Sequence, residues 1–189
     1  MNYRKAIFIL SGILAAPSLA AQQMTPEIGI IGGFGIEDPY KAGLGLGGGV
    51  LLGRIYAGGR VMRHFGTSSV RTGSTETTTT DVSAWMAGAE IGIPILLEPV
   101  EVKLSALLGI FRFTEDTLRE PTGGGSPTES NRGKTTGMFS PIISAMVPLS
   151  AVKIGAELAL LNGGDPNFSE TFETRSVAFY GKIVIPFGS

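Results

Sequence analysis

The chain contains no cysteine, and only one histidine and one tryptophan, among its 189 residues. Without cysteine it can form neither a disulfide framework nor a thiolate metal site. For an exported chain this absence also avoids mispairing in an oxidising compartment. Long hydrophobic runs are missing as well. Beyond the first 20 residues, none approaches the roughly 18 apolar residues that a membrane-crossing helix needs. The most apolar region, residues 91–111, is interrupted by Pro94, Glu98, Pro99, Glu101 and Lys103, which argues against a helical membrane protein. Charge of one sign is lacking too, with 15 basic residues against 16 acidic ones. No basic field exists to attract nucleic acid, so no nucleic-acid partner is expected.

What is present begins with a targeting signal. Arg4 and Lys5 form a basic start, Ala6 to Ala16 an apolar stretch, and Ser18-Leu19-Ala20 a small-residue cleavage site. Residues 1–20 are therefore read as a cleaved signal peptide and 21–189 as a single domain. Loss of Arg4 and Lys5 leaves about 13 basic residues against 16 acidic ones, a net charge of about −3. The 28 glycines show no collagen-like period.

Eight segments alternate apolar with small or polar residues: 27–36, 42–51, 54–65, 82–95, 100–114, 137–147, 152–161 and 172–187. Lengths near ten residues suit tilted membrane-spanning strands. Short turns join them at one end, while longer polar connections (37–41, 66–81, 115–136, 162–171) lie at the other. This is the pattern of an eight-stranded antiparallel up-and-down transmembrane β-barrel with its termini on the periplasmic side. Period 2 assigns the faces. Ile154, Ala156, Leu158 and Leu160 share one side of the seventh segment, and Lys153, Gly155, Glu157 and Ala159 the other. The apolar set must face lipid, because a soluble barrel would reverse the two.

Pairing Leu51 with Arg54, Ile95 with Val100 and Val147 with Val152 keeps the faces consistent across all three short hairpins. In that register Gly49 meets Tyr56, Gly45 meets Arg60 and Gly43 meets Met62, so the glycines of the second segment make room for large partners in a narrow interior. Phe34, Phe65, Trp85, Phe139 and Phe172 fall near the loop end and are expected to form the outer aromatic girdle. Alternation points Phe111 and Phe113 inward unless a bulge intervenes. The inward charges Arg60, Glu90, Glu101, Lys103, Lys153, Glu157 and Lys182 are costly in lipid and are expected to pair in the lumen. An ion-paired plug is preferred to a selective water path, since eight strands leave little free interior.

The segments Glu27-Ile-Gly-Ile-Ile-Gly-Gly-Phe34, Gly45-Leu-Gly-Gly-Gly-Val50, Arg54-Ile-Tyr-Ala-Gly-Gly-Arg-Val61 and Phe179-Tyr-Gly-Lys-Ile-Val-Ile-Pro-Phe187 carry a resemblance to the small outer-membrane β-barrel superfamily of the OmpA/OmpX/opacity type. The resemblance spans the whole expected mature chain and rests on pattern. It implies the bacterial outer membrane, contact with its lipids and lipopolysaccharide, insertion by the barrel assembly machinery, and a monomer. Such barrels usually end on an aromatic residue, whereas Gly188 and Ser189 follow Phe187 here.

Chemistry-bearing patterns are few. His64 lies near the outer end of the third segment, with Ser68, Ser69, Asp81 and Ser83 nominally close. Lipid A-modifying barrels use a histidine, a serine and an acid at that rim, but His64-Phe-Gly-Thr-Ser68 does not match the His-x-Ser-Asn pattern of the deacylases. A rim histidine that fills space or meets headgroups is preferred to a catalytic one. Gly43-Leu-Gly45-Leu-Gly-Gly48 matches the dinucleotide fingerprint in form only, because a strand follows it where a helix is needed. Asn162-Gly-Gly-Asp165 reads as a turn rather than a calcium site. No catalytic set, metal or cofactor is expected. The chain is read as a non-enzymatic outer-membrane barrel, structural or adhesive through its loops. A narrow pore is the alternative, and lipid A chemistry at His64 a lesser one.

Overall fold

The alternation condenses into eight strands: β1 (Met24–Gly35), β2 (Ala42–Leu52), β3 (Ile55–Thr72), β4 (Glu76–Leu97), β5 (Val100–Pro121), β6 (Thr128–Leu149), β7 (Val152–Gly163) and β8 (Arg175–Pro186). The structure, a computed structural model, describes residues 24–164 and 174–187. The expected leader, residues 1–20, the girdle candidate Phe172 and Asp165 lie outside the described residues. Each strand pairs antiparallel with its chain neighbour, and β8 returns to β1 through pairs such as Ile30↔Ile183, closing the ring.

The three short hairpins differ from the expected register by two residues each. Leu52 pairs with Ile55, Leu97 with Val100 and Leu149 with Val152, so the connections are the two-residue turns Gly53-Arg54, Glu98-Pro99 and Ser150-Ala151. Two-residue turns with a left-handed position match the twist of the flanking strands. Gly53 (φ 62°) and Ser150 (φ 45°) supply that conformation. A slip of two preserves the faces, so inward and outward assignments survive while the partners change.

The connections 66–81 and 115–136 are mostly strand, not loop. β3 and β4 stay paired up to Thr72↔Thr77, and β4 and β5 up to Glu76↔Pro121. The β-branched run Thr77 to Thr80 favours extended backbone, and pairing satisfies amide groups that a loop would leave to water. A register shift between Phe65 and Ser68 marks the one irregularity of the β3–β4 ladder. β4 and β5 pair without interruption through Phe111 and Phe113, so no bulge redirects those rings.

Outside, Ile30, Leu46, Val61, Ile91, Ile93, Leu108, Ile143, Leu158 and Ile183 are exposed. Inside, charged and aromatic side chains are buried. Only a lipid surround makes that inversion stable. From Trp85 to Ile95 the β4 face is apolar. At about 3.3 Å per residue and a tilt of about 40° it rises roughly 25 Å, the height of a bilayer's apolar band.

Candidate functional site: the filled lumen and its aromatic cap

Arg60 on β3 is the centre of the interior. Its Nε and Nη2 donate to Glu90 Oε2 at 3.1 and 2.5 Å. Its Nη1 donates to Glu157 Oε1, and Nη2 donates to Glu157 Oε2 at 3.1 Å. The guanidinium thus joins β3 to β4 and, across the barrel, to β7. Glu90 Oε1 takes the ammonium of Lys103 at 2.9 Å and the hydroxyl of Ser105 at 2.8 Å. Lys103 also stands 3.4 Å above the ring of Tyr56. Nearer the short turns, Lys153 binds Glu101 at 2.8 Å and lies 3.7 Å from Glu27. Lys182 is buried beside the central cluster without a carboxylate at ion-pair distance among the described residues.

Six of the seven expected lumen charges therefore meet in two clusters, and the seventh, Lys182, lies beside the larger. Glu27 is the member the sequence reading missed. The signal was present: Glu27 is in phase with Gly29 and Ile31 on the inward face of β1. With it, among the described residues, four cations (Arg60, Lys103, Lys153, Lys182) face four carboxylates (Glu27, Glu90, Glu101, Glu157) in and beside the two clusters, and these charges balance. A buried charge in this medium costs several kcal/mol unless paired, so such balance is what a closed interior requires.

The inward glycines of β2 each sit beside one large side chain. Gly43 pairs with His64, Gly45 with Met62 and Gly47 with Arg60. A Cβ at Gly49 would fall 2.8 Å from Tyr56 Cζ, and one at Gly58 would meet the same atom at 2.8 Å. The phenol ring therefore lies over two facing glycines. The space-making role holds, with partners moved two residues along.

Above the charges the mouth is closed by rings. Tyr40, from the connection after β1, folds inward. Its carbonyl accepts from Gly35 N at 2.6 Å and its amide donates to Glu37 O at 2.8 Å. Its ring packs 5.4 Å from those of His64 and Phe111, while Phe111 and Phe113 lie 5.6 Å apart and His64 and Tyr180 6.1 Å. Tyr40 was invisible to face assignment because it belongs to no strand.

His64 is wholly buried in this cap, and neither ring nitrogen has a hydrogen-bond partner among the described residues. Ser83 pairs with outward Phe65, so it lies on the other face of the wall from His64. Ser68, Ser69 and Asp81 are exposed on the projecting hairpin. The serine–acid arrangement that acyl chemistry needs is not assembled around this ring. Among the described residues no cluster of potential ligands could hold a metal.

Phe34, Phe65, Trp85 and Phe139 are exposed near the loop end. Phe179 joins them, its ring tilted against that of Phe34 with centres 5.7 Å apart across the closing β1–β8 seam.

Solved structures share this architecture. Neisserial surface protein A is 14% identical, with alignment over 87% of this chain and 97% of that one and a TM-score of 0.57. The N-terminal β-barrel domain of Pseudomonas aeruginosa OprF is 10% identical, over 86% of this chain and 97% of that one, with a TM-score of 0.50. No protein-family model and no curated protein matches the sequence. At these identities the likeness is one of fold: the small eight-stranded outer-membrane β-barrel.

Proposed function

We propose that this chain is an integral outer-membrane protein that conducts nothing and catalyses nothing, and that presents a projecting β-sheet for adhesion at the cell surface. The filled lumen carries the reading. Arg60, Glu90 and Glu157 bridge the interior, Lys103 and Tyr56 pack beside them, and the ring cluster around Tyr40 covers the mouth. A water path would have to break an ion-pair network that is nearly inaccessible to solvent.

The adhesive part follows from the strand extensions. From Arg112 to Pro121, β5 runs on for about 30 Å of its own length past Trp85, a rise of about 23 Å at the same tilt. β3 to β6 remain paired there, while β6 meets β7 only from Met138 inward. Among the described residues, 128–136 of β6 have no strand paired on that side, and an edge of this kind can accept a partner strand. Glu129, Arg132 and Lys134 along it are the charges that guard an edge against indiscriminate pairing.

Planar-bilayer recording tests the first half. Protein folded into lipid, verified by heat-modifiable gel migration, should add no conductance above the buffer background. Discrete channel steps in wild type would overturn the closed-lumen reading and favour the narrow pore.

A further inference from the structure

Two arginines stand on the lipid-facing wall without a counter-ion. Arg63, Trp85 and Arg112 are consecutive partners in one row across β3, β4 and β5, all pointing outward. The Arg63 guanidinium lies 5.0 Å from the Phe65 ring centre and 5.9 Å from that of Trp85. Arg112 reaches over Gly133 of the next strand, where a Cβ would lie 3.7 Å from its Nη2. Among the described residues no carboxylate pairs with either arginine. Further out on β4 and β5, Asp81 and Asp116 are register partners four residues beyond Trp85 and Arg112, and the Asp38 carboxylate is taken up by Thr67.

The row on the membrane side of these arginines is wholly apolar: Ile30, Leu46, Val61, Ala87 and Ile110. A groove of about 680 Å³ runs beneath Arg63, lined by Leu44, Leu46, Val61, Phe65 and Trp85. The wall thus offers cations at the edge of the apolar band and a trough for hydrocarbon below them. Two arginines two strands apart stand about 10 Å from each other, a spacing suited to an anion pair on one headgroup. Guanidinium binds phosphate through paired N–H donors. Stacking on two rings holds the Arg63 fork in place and lessens what it loses on binding.

We infer that the β3–β5 face at Trp85 is a binding site for a phosphorylated glycolipid, the lipid A part of lipopolysaccharide, with its phosphates on Arg63 and Arg112 and an acyl chain in the groove. The inference rests on the outer-membrane reading above, which places this end of the barrel in the outer leaflet. Charge complementarity selects the occupant: the site is dicationic, acid-free and bordered by hydrocarbon-compatible surface.

Trp85 is the chain's one tryptophan, so its emission reports on the site directly. Full chain is folded into phosphatidylcholine vesicles, and folding is scored by heat-modifiable migration. Fluorescence is then followed as bisphosphorylated lipid A, dephosphorylated lipid A or phosphatidylglycerol is added. Only bisphosphorylated lipid A should give a saturable change at low mole fraction, and Arg63→Gln with Arg112→Gln should raise the amount required at least tenfold. If that double variant fails to fold, Arg63→Lys with Arg112→Lys, which keeps the charge and loses the fork, should still require several-fold more bisphosphorylated lipid A than wild type, and a titration equal to wild type's would overturn the site. An equal response to phosphatidylglycerol, an equal response to the dephosphorylated lipid, or unaltered titration of the double variant would overturn the site while the barrel stands. Wild type that does not fold into the vesicles would instead bring down the membrane reading, and the site with it.

Discussion

Glu157 shows how much of this barrel depends on a single carboxylate. It is buried, it faces Arg60 across the lumen, and no other residue on β7 offers that guanidinium an acceptor. Glu157→Ala leaves a buried cation with half of its partners. Breaking one arm of a buried pair typically costs about 3–5 kcal/mol. The denaturant midpoint of the vesicle-folded variant should fall accordingly, while Glu98→Ala, at an exposed turn, should leave it within experimental scatter. Residue-scale roles were legible only where alternation alone decides them. The inward charges and the packing glycines were readable from period 2, but the identity of each partner was not. Gly45 was assigned Arg60 and takes Met62, because a turn one residue further along moves each partner by two. Tyr40 and the full burial of His64 depend on a connection folding back into the mouth, which no local pattern encodes.

At the scale of the strand, β7 gives the clearest test of which face is wet. Ile154, Ala156, Leu158 and Leu160 are exposed to the surround, and Glu157 and Ala159 are buried. Arginine on a lipid-facing site near mid-bilayer destabilises a barrel by about 2–4 kcal/mol. Ala156→Arg should therefore cut the folded yield in vesicles sharply, and Ala156→Leu should not. Comparable yields for the two would mean that this face is not in lipid. The neighbouring inward Gly155 is no neutral control, since a Cβ there would lie 2.7 Å from Met146 Sδ and 2.8 Å from Met146 Cα. Strand identity and facing were legible here because both rest on a two-residue period. Strand length was not, because the polar outer ends of β3 to β6 lose the apolar half of the alternation once they leave the bilayer. Thr77 to Thr80 and the stretch 128–136 look like loop composition and are held extended only by their neighbours.

For the whole molecule, the aromatic belt divides a sealed interior from an open, projecting sheet. The core residues Ile31, Met62, Met86, Leu107, Ile142 and Ala178, together with the charge network, lie within the barrel. The projecting sheet beyond Arg112 is mostly exposed and contributes pairing without a sealed interior. Replacing 117–130 by a two-residue Asn-Gly turn should therefore leave heat-modifiable folding intact and abolish adhesion of expressing cells to any surface the wild type holds. Loss of folding in that variant would show that the projecting strands support the barrel.

The Arg60–Glu157 contact has one more consequence, which concerns how the ring comes to exist. β3 and β7 are four strands apart by either route around the barrel. In a flat sheet those two side chains would start about 19 Å from each other, beyond reach. They touch only after the sheet has curled and β1 has found β8. Until that moment Arg60 has only Glu90 of the neighbouring strand, and Glu157 lacks its guanidinium altogether. The cross-brace gives no reward to a half-curled sheet and its full value to a closed one, like a tie rod that tightens only when the hoop is complete. Such an arrangement penalises partly closed forms and so favours cooperative closure of the ring.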